Sequence, residues 1–289
     1  SRAPQAPAIL YFDGSLTYAD VDRLSDALAA ELEASGFVRG DRLAIYLQNV
    51  PQFPIAVIAA WKAGGVAVPV NPMNRDREIG ILFDDCTPRA LICHGSLYEQ
   101  FVTKLGPERH RPPIVITTTA REFQTRNDPR LFADTEPSSF ADTLDFSDIV
   151  RRRNGEKPRI DYRYQGNDIA FLVYTSGTTG VPKGATNTHG NVTFNSQTYR
   201  DWMKLREGGP ILGVAPLFHI TGLIGHIGAA FIAAAPLILA FKFDAGVILD
   251  AIAEHKAEFT IGSITVFIAL MHHKDATREK LATMTTVYS

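Results

Sequence analysis

Residues 41–72 read DRLAIYLQNVPQFPIAVIAAWKAGGVAVPVNP. Leu43 to Leu47 is a short apolar run of the kind shown by a strand covered on both faces. Phe53 to Ala63 reads as a helix, and Gly64-Gly65 ends it before a second apolar run, VAVPV. Strand, helix, strand in this order predicts a parallel sheet in an α/β fold. The same alternation runs in both directions from here. Upstream, Leu16 to Ser35 carries Val21, Leu24, Leu28 and Leu32 at helical spacing. Thr17 is its candidate N-cap, Asp20 the third-position partner and Gly36 the stop. Downstream, Ile79–Asp85 and Leu97–Lys104 read as helices, and Ala90–Cys93 and Ile114–Thr117 as strands.

From about Ala120 to Gly166 the chain is rich in Pro, Asp, Arg, Ser and Thr and has little period, apart from a short helix in FSDIVRRR. A loop of this length marks a surface excursion or the approach to a functional segment. Arg151–Arg153 within it is either solvated surface or a phosphate contact. Ile169–Tyr174 is a buried-strand run, and HGNVTFNSQTYRDWMKL a helix. Ile211–Phe243 is long and apolar enough to raise a membrane span. Pro216, His219, His226 and Pro236 interrupt it, so a buried helix flanked by strands is the expectation.

The composition narrows the function classes. The chain has 289 residues, 45% hydrophobic and 21% charged, and its 29 Lys and Arg nearly balance its 31 Asp and Glu. That balance gives no footprint for wrapping nucleic acid or coating an anionic membrane and favours small ligands. Cys86 and Cys93 make neither a disulfide framework nor a zinc set, so a reducing compartment, the cytoplasm, is expected. The first residues, SRAPQAPAIL, lack the charged and apolar regions of a signal peptide and read as a processed or trimmed start.

Tyr174–Gly184 reads YTSGTTGVPKG. It fails the Walker A pattern, because Pro182 stands at the second glycine and Gly184 follows Lys183, and it fails G-x-G-x-x-G. Four hydroxyls (Thr175, Ser176, Thr178, Thr179), two permissive glycines (Gly177, Gly180) and the cation of Lys183 still suit a phosphate. The plainer alternative is a Gly/Thr turn joining a strand to a helix.

Leu172–Lys183 (LVYTSGTTGVPK) resembles the AMP-binding signature of the adenylate-forming superfamily, which includes acyl-CoA synthetases, aryl-CoA ligases, luciferases and peptide-synthetase adenylation domains. Residues 16–49, WKAGGVAVPVNP (61–72) and PLFHITGL (216–223) resemble further stretches of that family in the same order. The resemblance implies two stacked α/β subdomains with mostly parallel sheets, 41–205 around one and 1–40 with 206–289 supplying part of another. It implies ATP-dependent activation of a carboxylic acid to acyl-AMP and transfer to coenzyme A. Thr175, Ser176, Gly177, Thr178, Thr179 and Gly180 would cradle the β- and γ-phosphates, and Lys183 would add charge. Mg²⁺ would bridge the phosphates beside Thr175.

By the same resemblance His219 lies between the carboxylate site and the acyl pocket, on a helix beginning at Ile220. Peptide-synthetase domains place an Asp where His219 stands, which points away from amino acids. A medium- or long-chain fatty acid is then the expected substrate, with an aryl acid as alternative and a non-catalytic nucleotide-binding fragment as the reading from another class. The Gly222, Gly225 and Gly228 stripe would either line an alkyl tunnel, with Gly222 touching substrate, or pack closely on a neighbour. Thr265, in IGSITVFIALM, is a further substrate candidate. That segment departs from the family at Ile264, where many relatives carry a proline. The family's later motifs and C-terminal domain do not occur. The expectation is therefore a truncated portion of a longer enzyme, inactive alone, with exposed sheet edges, homo-oligomerisation and peripheral membrane contact as associated expectations.

Overall fold

The computed structural model describes residues 3–132, 139–175 and 182–289. Among them thirteen strands form two sheets. The seven-stranded sheet contains β3 (Arg42–Tyr46), β4 (Val66–Pro69), β5 (Ala90–His94), β6 (Ile114–Thr118), β7 (Leu144–Asp145), β8 (Ile169–Thr175) and β9 (Lys183–Thr188), in the order β7-β6-β5-β3-β4-β8-β9. The six-stranded sheet contains β1 (Pro7–Tyr11), β2 (Gly14–Thr17), β10 (Ile211–Leu212), β11 (Leu237–Leu239), β12 (Phe259–Ile261) and β13 (Thr286–Tyr288), in the order β13-β12-β10-β11-β1-β2. Pairing is parallel except for β1 with β2 and β8 with β9.

The run at 43–47 is continuous because both faces of β3 are covered. Leu43, Ile45 and Leu47 join the core shared with the six-stranded sheet. Ala44 and Tyr46 join a second cluster with Ile79, Phe83 and Val102 on the opposite face. The helix Tyr18–Ala34 lies in the shared core through Val21, Leu24, Leu28 and Leu32 and packs on the helix Gln52–Lys62. Its N-terminus is a full capping box. The Asp20 N–H donates to Thr17 Oγ1 at 3.1 Å, and the Thr17 N–H donates to the Asp20 carboxylate at 3.0 Å. Gly36, at φ +83°, takes the left-handed conformation that ends the helix.

Three features depart from the sequence reading. The segment 183–188 is a strand, antiparallel to β8, so the hydroxyl-rich loop closes a hairpin instead of leading directly into the helix His189–Trp202. KGATNT is an edge strand with three of its six residues exposed, so it carries no apolar alternation to read. The expected helix 97–104 is a short turn, Gly95–Leu97, continuing as the π-helical turn Tyr98–Val102. The excursion 120–166 is structured in part: it holds the helix Pro129–Phe132, β7 and the helix Phe146–Arg152.

That excursion also straps the two sheets together. Ala120 accepts a hydrogen bond from Tyr11 of β1, Arg126 makes a two-pronged pair with Glu254, and Arg130 bonds Asp128 and Asp250. Arg152 and Arg153 both bond Glu31, whose side chain is only 6% exposed. Two of the three arginines are therefore structural. Burial raises the Glu31 pKa and the two guanidinium bonds outweigh it, leaving the carboxyl below its ordinary value.

Two predictions follow from this packing. Glu31→Ala should lower the unfolding free energy by about 2 kcal/mol in urea titration, since it removes the carboxylate that Arg152 and Arg153 share and leaves Arg153 only its exposed partner Glu156. Arg151→Ala, which breaks only an exposed pair with Asp148, should change it by less than about 0.5 kcal/mol. Secondly, burial pushes the His94 pKa down to about 3, with the Lys242 charge adding to it, and burial pushes His226 down to about 4. The unfolded chain takes up these protons first, so stability falls as pH drops from about 6.5 towards 4.5. His94→Gln should flatten the dependence of the urea midpoint on pH across that window.

Candidate functional site

Open α/β sheets bind ligands beyond the carboxyl ends of their strands, at the point where the strand order reverses. In the seven-stranded sheet the chain passes from β3 to β4 on one side and then to β5 on the other. In the six-stranded sheet it passes from β10 to β11 and then back across to β12. The residues that follow β3 and β10 are therefore where a site is expected. Asn49 follows β3, and the turn Gly213–Phe218 follows β10.

These two points are bonded to each other. Asn49 Nδ2 donates to the carbonyls of Gly213 and Ala215, both at 3.0 Å, and its Oδ1 accepts from the Leu217 N–H at 2.9 Å. Its backbone N–H and C=O pair with Phe241, just beyond β11, at 3.1 and 3.0 Å. From the other side the Ala215 N–H donates to Nε2 of His226 at 3.0 Å. Sequence reading gave Asn49 no role and met His226 as a break in an apolar tract; neither has a signal until the partners are known.

The turn delivers His219, which is exposed and caps the helical segment 220–232. Its Nδ1 accepts from the Thr221 N–H at 3.3 Å and lies 3.2 Å from the Thr221 hydroxyl. By that bonding the neutral ring carries its proton on Nε2, which leaves an N–H for a carboxylate or carbonyl oxygen.

The other cluster is the root of the hydroxyl-rich loop. Thr175 and Lys183 are cross-strand partners at the loop end of the β8–β9 hairpin, and both are exposed. Partners of this kind stand on one face with their Cβ atoms about 5 Å apart. Among the described residues Lys183 makes no ion pair. Next in the ladder Tyr174 pairs with Gly184, where a Cβ would come within 2.8 Å of Leu172 and 3.1 Å of the Tyr174 ring. The Tyr174 hydroxyl donates to Asp85. Burial and that bond raise its pKa, so it remains a neutral donor. Ser176, Gly177, Thr178, Thr179 and Gly180 lie outside the described residues.

A groove of about 190 Å³ opens beside His219, between the helix His189–Trp202 and the start of the 220–232 segment. Val192, Tyr199, Ile220 and Ile224 give it apolar walls, and Asn187, Asn191 and Asn195 give it amides. The glycine stripe is a packing surface. A Cβ on Gly222 would lie 2.2 Å from the Pro216 carbonyl oxygen, on Gly225 2.8 Å from Ile261, and on Gly228 2.2 Å from the Ser196 hydroxyl. The glycines let the segment approach the turn, β12 and the neighbouring helix, so the space an alkyl tunnel would need is filled. Thr265 is exposed past the carboxyl end of β12, the strand beside β10, with its hydroxyl 2.8 Å from that of Ser263.

Among the described residues no group of three or more His, Cys, Asp or Glu could hold a metal ion. The exposed Thr175 hydroxyl is a hard oxygen donor of the kind Mg²⁺ accepts alongside phosphate oxygens. No helix among the described residues is long and apolar enough to cross a membrane.

The family model for AMP-binding enzymes matches residues 1–289. The long-chain-fatty-acid–CoA ligase of Bacillus subtilis (strain 168) is 30% identical over all of this chain and 53% of its own length. The feruloyl-CoA synthase of an Amycolatopsis species is 29% identical over 94% of this chain and 48% of its own. Among solved structures, an anthranilate CoA ligase in complex with anthranoyl-AMP superposes with a TM-score of 0.82 at 21% identity, covering 98% of this chain and 51% of that one. The chain thus spans about half the length of the curated relatives it matches. It has the two mostly parallel sheets of the N-terminal domain of these proteins and belongs to the AMP-binding enzyme family.

Proposed function

We propose that the complete protein is an AMP-forming acid–CoA ligase. The observation that carries this reading is the pairing of Thr175 with Lys183 at the mouth of the YTSGTTG loop, in a chain matched from end to end by the AMP-binding family. In the first step a carboxylate oxygen of the acid attacks the α-phosphorus of ATP, and the bond from that phosphorus to the bridging oxygen breaks, releasing pyrophosphate. In the second the coenzyme A thiolate attacks the acyl carbon, and AMP leaves with the former carboxylate oxygen. Phosphoryl transfer of this kind asks a protein for alignment and for charge on oxygens. Thr175 through Gly180, with Ser176, Gly177, Thr178 and Thr179 between them, would donate to the leaving phosphates, and Lys183 would add positive charge. When bound, Mg²⁺ would neutralise phosphate charge, with Thr175 as its contact from this chain. His219, with its Nε2–H exposed, would hold the carboxylate for attack.

For the acid itself, the fatty-acid–CoA ligase relative supports a medium- or long-chain fatty acid. The groove beside His219 favours a second reading, a compact aryl acid, since it is about 190 Å³ and carries three amides among its apolar walls. Carboxylate-dependent exchange of labelled pyrophosphate into ATP by the complete protein separates these, measured from acetate to palmitate with benzoate and coumarate. Exchange peaking in one class names the acid; exchange with none of them, while ATP still binds, leaves a nucleotide-binding module. His219→Ala should lower exchange by about 100-fold with a melting temperature shift under about 2 °C, because the side chain is exposed. Lys183→Ala should raise the KM for ATP about ten-fold. A large stability loss with unchanged specific activity in His219→Ala would contradict its assigned role.

A further inference from the structure

The turn that presents His219 has its backbone held by two side chains from different parts of the fold. Gly213 and Ala215 give their carbonyls, and Leu217 its N–H, to one amide, Asn49, at 2.9–3.0 Å. The amide of Asn49 thus uses both of its N–H groups and its oxygen on a single five-residue span. Ala215 gives its N–H to His226, a residue with no solvent exposure. A half-buried amide and a fully buried imidazole that bond backbone groups of the turn fix it more strictly than apolar packing alone does, because each displacement breaks a directional bond.

We propose that Asn49 and His226 are positioning residues for His219. They set the turn against the carboxyl edge of the seven-stranded sheet and so fix where His219 is presented. Asn49 is suited to this because it stands just past the ends of strands from both sheets. It follows β3, which is joined through β4 to β8 and so to Thr175, and its own backbone pairs with Phe241 beyond β11. His226 is suited because it sits seven residues along the segment that His219 begins, so it ties that segment back to its own entry. Its Nε2 must be unprotonated to accept from Ala215, and burial pushes its pKa down to about 4, which keeps it so at neutral pH. Among the described residues Nδ1 makes no well-formed hydrogen bond, so acceptance from Ala215 is the ring's well-formed polar contact.

This inference rests on the ligase reading for its kinetic test and not for its structural one. In Asn49→Asp the oxygen that accepts from Leu217 remains, but a carboxylate oxygen faces the Gly213 and Ala215 carbonyls where an N–H₂ group stood. His226→Leu removes the acceptor for Ala215, and His226→Gln restores one at about the position of Nε2. The activity-independent readout is the ring ¹⁵N signal of His219 in the complete protein, labelled at histidine. Wild type and His226→Gln should show the Nε2–H tautomer, with Nδ1 accepting from Thr221. Asn49→Asp and His226→Leu should show a mixture of tautomers. An unchanged His219 signal in both folded variants overturns the proposal.

The kinetic readout is a double-mutant cycle on pyrophosphate exchange. Asn49→Asp should lower the acid-dependent kcat by about 10- to 100-fold, with the KM for ATP unchanged within about two-fold. In the His219→Ala background the same substitution should cost less than about two-fold. Losses that multiply, or a KM for ATP that rises as much as kcat falls, assign Asn49 a merely structural role and overturn the proposal. If wild type exchanges with no acid, the ligase reading fails, and the tautomer signal still decides the positioning claim. Should Asn49→Asp not fold, the His226 pair gives the same decision.

Discussion

The arrangement depends on one asparagine. The two sheets have no backbone ladder in common, so between them apolar packing fixes volume and separation but supplies no directional bond. Asn49 supplies such bonds at the place where they matter. It bonds the residues beyond β10 with its side chain and the residue beyond β11 with its backbone. Each of these groups is in or near the low-dielectric junction, where a missing partner costs about 1–3 kcal/mol. The carboxyl edges of the two sheets are thereby joined at the strands where both strand orders reverse.

Away from this point the sheets are held by charge and by the excursion after β6. Arg126 with Glu254, and Arg130 with Asp128 and Asp250, fasten residues 120–132 to the helix Ala245–His255. Arg152 and Arg153 fasten the other end to the helix Tyr18–Ala34 through Glu31. Pairs of this kind add little singly when exposed, but shared partners cost less ordering entropy for each added bond. In its described parts the long unpatterned stretch is thus a strap between helices, and the charges at its two ends follow from that duty.

The sequence carries the fold where burial is continuous or periodic, and is silent where it is neither. The runs at 43–47, 66–70 and 90–93 are legible because both sheet faces are covered, and the first helix because Thr17, Asp20 and Gly36 bracket an apolar stripe. β9 escapes notice because an exposed edge strand of KGATNT has no apolar face. The loop signature is legible as a string, yet the side-by-side placement of Thr175 and Lys183 depends on that unseen strand. The glycine stripe fits two accounts in sequence, and the Pro216, Ile261 and Ser196 atoms against it decide for packing. Asn49 is a polar residue at the end of an apolar run, an ordinary place for one, and its partners lie 164 to 168 positions away.

Adenylation makes a chemical claim that can be followed atom by atom. The carboxylate oxygen that attacks phosphorus stays with it when the thiolate displaces AMP, so an oxygen of the acid ends in the nucleotide. The most direct measurement is mass analysis of AMP after turnover of ¹⁸O₂-labelled carboxylic acid with ATP and coenzyme A by the complete protein. The account predicts one labelled oxygen in AMP for each thioester formed. Thioester formation with unlabelled AMP, or with ADP and labelled phosphate in its place, would contradict it.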